Sequence, residues 1–161
     1  MLSAYQNMAE NKSTGELFAD LFGPNYDQAI FFNSCATRVS IALLNSGVKS
    51  VGSAFNIQQG PLKGKGITTS AVGMKNFLKT IWGSPEVPDF KTDATTTLAD
   101  LQASIGSRTG VFSFVSSDPR AFGATGHITI WNGTDVVRGA KYDNQAYANG
   151  NPGTACLWEL K

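Results

Sequence analysis

The chain has 161 residues, of which 42% are hydrophobic and 16% charged, which suits one domain with its own core and excludes disorder of the whole. A net charge of +1 gives no electrostatic case for nucleic acid or an anionic membrane surface as partner.

Residues 1–13 are polar and expected to be flexible. The opening MLSAYQNMAENKSTGE has neither a basic n-region nor an apolar h-region, so no secretory signal is expected. TGELFADLFG (14–23) puts Leu17, Phe18, Leu21 and Phe22 at helical spacing and stops at Gly23-Pro24. FFNSCATRVSIALLNSG (31–47) predicts a mostly buried helix. Asn33 or Ser34 can cap it by accepting an orphan backbone N–H. Ala36, Val39 and Leu43 form its apolar stripe, which Ile41 and Leu44 widen, and Gly47 stops it. Residues 48–67 read as loop; within them GPLKGKG (60–66) lacks phosphate-loop spacing and reads as a mobile loop beside the cleft. TTSAVGMKNFLKTIWG (68–83) is a second helix, capped by Thr69 or Ser70. SPEVPDFKTDATT is a linker with two prolines. TTLADLQASIG (96–106) is a third helix with Leu98, Leu101 and Ile105 on one face.

The pattern then changes period. GVFSFVSS (110–117) alternates as a strand does, and DPRAFGATG is a loop. HITIWNGTDVVR (127–138) is a strand, an Asn132-Gly133 turn and a second strand. ACLWELK (155–161) is the last strand. Helices first and strands later predict one α+β domain over residues 1–161, with N-terminal helices packed on a C-terminal antiparallel sheet. No apolar run approaches the roughly 20 residues that cross a bilayer, so no membrane insertion is expected.

Two cysteines and one histidine cannot build a recognisable metal cluster, and no cofactor is expected. They suffice for thiol catalysis. Cys35 at the first turn of a helix faces free N–H groups and the positive end of the macrodipole, which predicts a lowered thiol pKa and fast alkylation below pH 7. His127, at the start of a strand, is the one histidine to serve as its base. Two other readings of Cys35 stand beside this: a small buried core residue, and half of a Cys35–Cys156 disulfide stapling a non-catalytic binding module. Ser34 reads as a cap, Trp131 as a groove-lining or sheet-packing residue, and Arg38 as a substrate-carboxylate ligand or a solvated or paired surface side chain.

NSCATRVSIALLNSG, GHITIWNG and the closing LWEL together resemble the type VI secretion amidase effectors of family 4. That family carries an Asn-x-Cys-Ala-x-Arg-x-Ser helix and a Gly-His-x-x-Leu-Trp-x-Gly hairpin, and the likeness runs over roughly residues 21–161. The resemblance implies a papain-like, NlpC/P60-like fold and hydrolysis of the γ-D-glutamyl–meso-diaminopimelate amide of peptidoglycan stem peptides, with Cys35 as nucleophile and His127 as base. It also implies delivery by the type VI apparatus to the periplasm of target bacteria, and a cognate periplasmic immunity protein that occludes the cleft. A related thiol hydrolase or acyl transferase acting on another amide is the neighbouring reading.

In the family an aspartate across the hairpin orients the histidine. With a two-residue Asn132-Gly133 turn, Trp131 faces Thr134 and His127 faces Arg138, whose guanidinium cannot accept an imidazole N–H. Asp135 takes the role if the turn is longer or bulged; Asp143 folding back, or a backbone carbonyl, are the other options.

Overall fold

The computed structural model describes residues 1–160. The elements in chain order are α1 (Leu2–Asn11), α2 (Thr14–Phe22), α3 (Cys35–Asn45), the short strands β1 (Phe55–Asn56) and β2 (Gly66–Ile67), α4 (Ala71–Trp82), β3 (Val87–Thr92), α5 (Leu98–Ile105), β4 (Thr109–Ser116), α6 (Pro119–Phe122), β5 (Gly126–Asn132) and β6 (Gly153–Glu159). Four strands form one antiparallel sheet in the order β3-β6-β4-β5, which leaves β3 and β5 at its edges. No helix is long and apolar enough to cross a membrane.

The helices begin where small polar residues can satisfy orphan N–H groups. Ser13 and Glu16 form a reciprocal capping box on α2, Thr97 and Asp100 another on α5, and Ser70 accepts from Gly73 N on α4. The sheet buries both faces. Val111, Ile128, Ile130 and Trp158 pack with Val39 and Leu43 of α3 and Met74 and Leu78 of α4. Phe112, Phe114, Trp131 and Leu157 pack with Leu101 and Ile105 of α5 on the other side. Period-two alternation within β4 thus divides one strand between two cores.

Three sequence expectations are corrected. Residues 1–13 are not a flexible tail: ten of them form α1, with Tyr5, Met8 and Ala9 buried and Lys12 closing its last turn onto Met8 O. The proline-containing linker holds β3, an edge strand with a register shift between Val87 and Phe90, which is where a proline is tolerated. The second hairpin strand is reduced to an isolated Trp131–Val136 bridge. Its turn sits at Gly133-Thr134, because Asn132 N donates to Asp135 O at 2.9 Å. Asn132 Oδ1 also accepts from Thr134 N and Asp135 N, so the asparagine folds the turn ahead of itself instead of lying in it. The register is thereby displaced two residues from an Asn132-Gly133 turn.

Candidate active site

The chain's one imidazole is held by a chain of hydrogen bonds that dictates its tautomer. His127 Nε2 lies 2.9 Å from Asn144 Oδ1. At the other end of that amide, Asn144 Nδ2 donates to Val137 O at 2.9 Å and reaches Thr129 Oγ1. A carbonyl only accepts, so the amide's NH2 must face Val137 and its oxygen must face the imidazole. That oxygen also only accepts, so the proton sits on Nε2 and Nδ1 keeps its lone pair. Tyr5 of α1 supports the arrangement, its hydroxyl 2.8 Å from Thr129 Oγ1 and 3.4 Å from Asn144 Nδ2. Tyr147 stands edge-on to His127 with ring centroids 4.7 Å apart. It is the one described non-glycine residue with positive φ (58°), a strained backbone kept at this spot.

Burial sets the protonation states. Removal from water holds the His127 imidazole down at about 4, against an ordinary 6.5, with the Asn144 bond pulling the other way. At neutral pH the ring is therefore uncharged and Nδ1 can take a proton. Cys35 is the first residue of α3 and only 1% exposed. The backbone N–H groups of Ile128, Ala36 and Cys35 itself favour its thiolate, but the loss of water outweighs them and raises the thiol pKa. The expected lowering is thus reversed: the thiol rests protonated, and deprotonation awaits a base.

The elements explain why the sulfur meets the strand. Val137 N donates to Ile130 O, so Ile130 turns its backbone groups away from β4. Ile128, two residues back, does the same on the open edge of the sheet, and α3 lays Cys35 against its N–H. The thiol thereby sits beside the residue that follows His127. The two side chains border adjoining halves of one cleft, which share Phe32, Asn33, Ala124 and Gly126. The His127 half is about 310 Å³ and includes Thr14, Tyr142 and Tyr147; the Cys35 half is about 270 Å³ and includes Thr69, Ser70 and Thr125.

Other sequence-predicted residues are placed differently. Asp135 does not reach the imidazole. Its Oδ1 accepts from Val136 N at 2.7 Å and its Oδ2 pairs with Arg138 at 3.0 Å, because the displaced turn puts it at the hairpin's tip. The chain does fold back as envisaged for Asp143, but its neighbour Asn144 is the residue that arrives. Both cysteines are free, so no Cys35–Cys156 staple forms, and Cys156 lies on β6 with burial pushing its thiol up to about 12. Trp131 packs in the core behind the sheet. Gly60, Pro61 and Leu62 border a separate cavity with Leu21 and Ile41, away from the cleft.

Arg38 is fully buried, and among the described residues no carboxylate pairs with it. Its guanidinium spends its donors on Met8 O at 2.9 Å, Lys12 O at 2.7 Å and Ser34 Oγ at 3.0 Å, and stacks over Tyr142 at 3.9 Å. A cation thus closes the negative end of α1 and ties it to the start of α3. Ser34 is the N-cap residue of α3 without a capping bond; its hydroxyl serves Arg38 and Thr14 Oγ1, while Asn33 Oδ1 accepts from Cys35 N at 3.1 Å. Sequence reasoning missed Asn144 and Tyr5, which sit in no periodic pattern.

The chain matches the family model described as type VI secretion system amidase effector protein 4 over residues 31–158. Its fold is shared with the effector Tae4 in the effector–immunity complex Tae4–Tai4 from Enterobacter cloacae, at TM-score 0.70 and 23% identity, covering 99% of this chain and 97% of that one. The same complex from Salmonella Typhimurium aligns at TM-score 0.71 and 19% identity, covering 99% and 94%. The Salmonella typhimurium Tae4 bound to the immunity Tai4 from Enterobacter cloacae aligns at TM-score 0.69 and 19% identity, covering 99% and 95%. The shared architecture is the NlpC/P60-like one anticipated from the sequence. No curated protein matches the chain.

Proposed function

Because the chain belongs to the type VI secretion system amidase effector protein 4 family, a family of peptidoglycan amidase effectors, we propose that it hydrolyses the γ-D-glutamyl–meso-diaminopimelate bond by a Cys35–His127 thiol mechanism. The Cys35 sulfur attacks the amide carbonyl while its proton passes to His127 Nδ1. The tetrahedral adduct expels the amine, which takes that proton, and leaves a thioester on Cys35. Water attacks the thioester with His127 again as base, and the acid departs from a regenerated thiol. A neutral imidazole with Nδ1 unprotonated is the form this cycle starts from. What supports the reading is the Cys35 thiol on the backbone N–H of Ile128, the residue next to His127, together with the tie from His127 Nε2 to Asn144.

The same reading has the protein delivered by the type VI apparatus to the periplasm of a target cell, where the stem peptides are. It also takes a cognate immunity protein as partner, as the Tae4 relatives do with Tai4. The test is digestion of purified diaminopimelate-type peptidoglycan with mass spectrometry of the muropeptides. The expected products carry a new amine on diaminopimelate and a new carboxyl on D-glutamate. Cys35→Ala is expected to be folded and to release none; release at the wild-type rate would remove Cys35 as nucleophile.

A further inference from the structure

Asn33 stands two residues before Cys35, half-buried, and borders both halves of the cleft. Its Oδ1 accepts the Cys35 N–H at 3.1 Å. That bond settles the amide's orientation, since an N–H must meet the oxygen end. The Nδ2 end, with two donors, projects from the other side of the same plane, and no hydrogen-bond acceptor holds it among the described residues. The bond has a second effect. The N–H of a nucleophile at a helix start is a natural donor to a developing oxyanion, and here Asn33 already occupies it. The site thus has one backbone donor engaged and a neutral two-donor group on a residue that lines the same half of the cleft as Cys35.

We propose that Asn33 is a catalytic residue that donates from Nδ2 to the oxyanion. The inference rests on Cys35 being the nucleophile. As the sulfur adds to the carbonyl carbon, the C–S bond forms and the C=O π pair moves onto oxygen, which receives the Asn33 Nδ2–H; the thiol proton goes to His127 Nδ1. When the adduct collapses the pair returns, the C–N bond breaks, and the amine leaves with the proton from His127. Asn33 stays neutral throughout and transfers no proton.

The structural role and the catalytic role separate by substitution. Asn33→Ser and Asn33→Asp each keep an oxygen that can accept the Cys35 N–H and remove the amide donors; the serine does so without adding charge. Both variants are expected to melt near the wild-type temperature and to release amine from diaminopimelate-type peptidoglycan with kcat lowered about a hundredfold. A peptide aldehyde, which adds the thiol to form a hemithioacetal with the same oxyanion, is expected to bind the serine variant at least about tenfold more weakly. Wild-type kcat in Asn33→Ser, with Cys35→Ala inactive, would overturn the Asn33 assignment and leave the amidase reading standing. Absence of amine release by the wild-type protein would overturn both.

Discussion

At the residue scale the decisive group is Asn144. It supplies an acceptor where an aspartate was expected, and it carries no charge. A carboxylate at that position would hold the imidazolium and raise the ring's pKa; a neutral amide fixes the tautomer without doing so. Asn144→Ala is expected to lower kcat by roughly a hundredfold or more, because an unoriented imidazole presents Nδ1 to the thiol only part of the time. Asn144→Asp should retain much of that rate and move the acid limb of the pH–rate profile to higher pH, which a purely structural asparagine would not do. Asp135→Ala, which loses a hairpin-tip ion pair half open to water and the local bond from Val136 N, should leave turnover within about twofold. Cys35 and His127 were legible as candidates because each is one of very few reactive side chains, Cys35 opening α3 and His127 lying second in β5. Asn144 was not legible in this way: it lies in irregular chain after a hairpin whose turn sits one residue later than expected and whose register is displaced by two.

At the element scale α1 is the surprise. Its sequence is polar on balance, and only Tyr5, Met8 and Ala9 are buried, too few to announce an amphipathic helix. What docks it is tertiary: Arg38 on the carbonyls of Met8 and of the C-cap residue Lys12, and a backbone bond from Lys141 N to Ala9 O at 3.1 Å. Strand β3 was hidden for a similar reason, since a proline is compatible with an edge but reads as a break. The long helices and central strands were plain in the sequence because their apolar period matched their geometry. Gly139 offers a test of whether α1 matters to the site. A Cβ there would press into the backbone of Ala9 and Glu10, where no side chain can rotate aside. Gly139→Ala is therefore expected to cost about 1–3 kcal/mol in urea denaturation. Faster amide exchange in α1 and a fall in amidase rate should accompany it, because Tyr5 is the helix's contact with Thr129 and Asn144. A variant as stable as wild type, with α1 still protected, would show that the helix has room to move without loss.

At the scale of the whole molecule, the burial that keeps the His127 imidazole uncharged at neutral pH also links the fold to pH. The folded ring titrates at about 4 and the ordinary value is 6.5. Between those values the unfolded chain binds more protons than the native one, so stability rises with pH through this window and falls as the medium is acidified. The shift is worth roughly 3 kcal/mol in full, most of it lost by pH 4.5 and none restored below 4. Lowered carboxylates such as Asp93 and Asp100 act in the same direction at lower pH, so acid weakens the fold in stages with His127 first. The measurement is urea denaturation of wild type and His127→Gln at pH 7.5 and pH 4.5. The glutamine Nε2 can still donate to Asn144 but does not titrate, and the carboxylates are common to both proteins, so the difference between the two pH slopes isolates the imidazole. Wild type is expected to lose roughly 2–3 kcal/mol more than His127→Gln across the interval. Equal slopes would mean that the ring is solvated enough to charge in place. The cleft would then hold an imidazolium at mildly acidic pH, and the neutral-base start of the reaction would have to give way to a preformed thiolate–imidazolium pair.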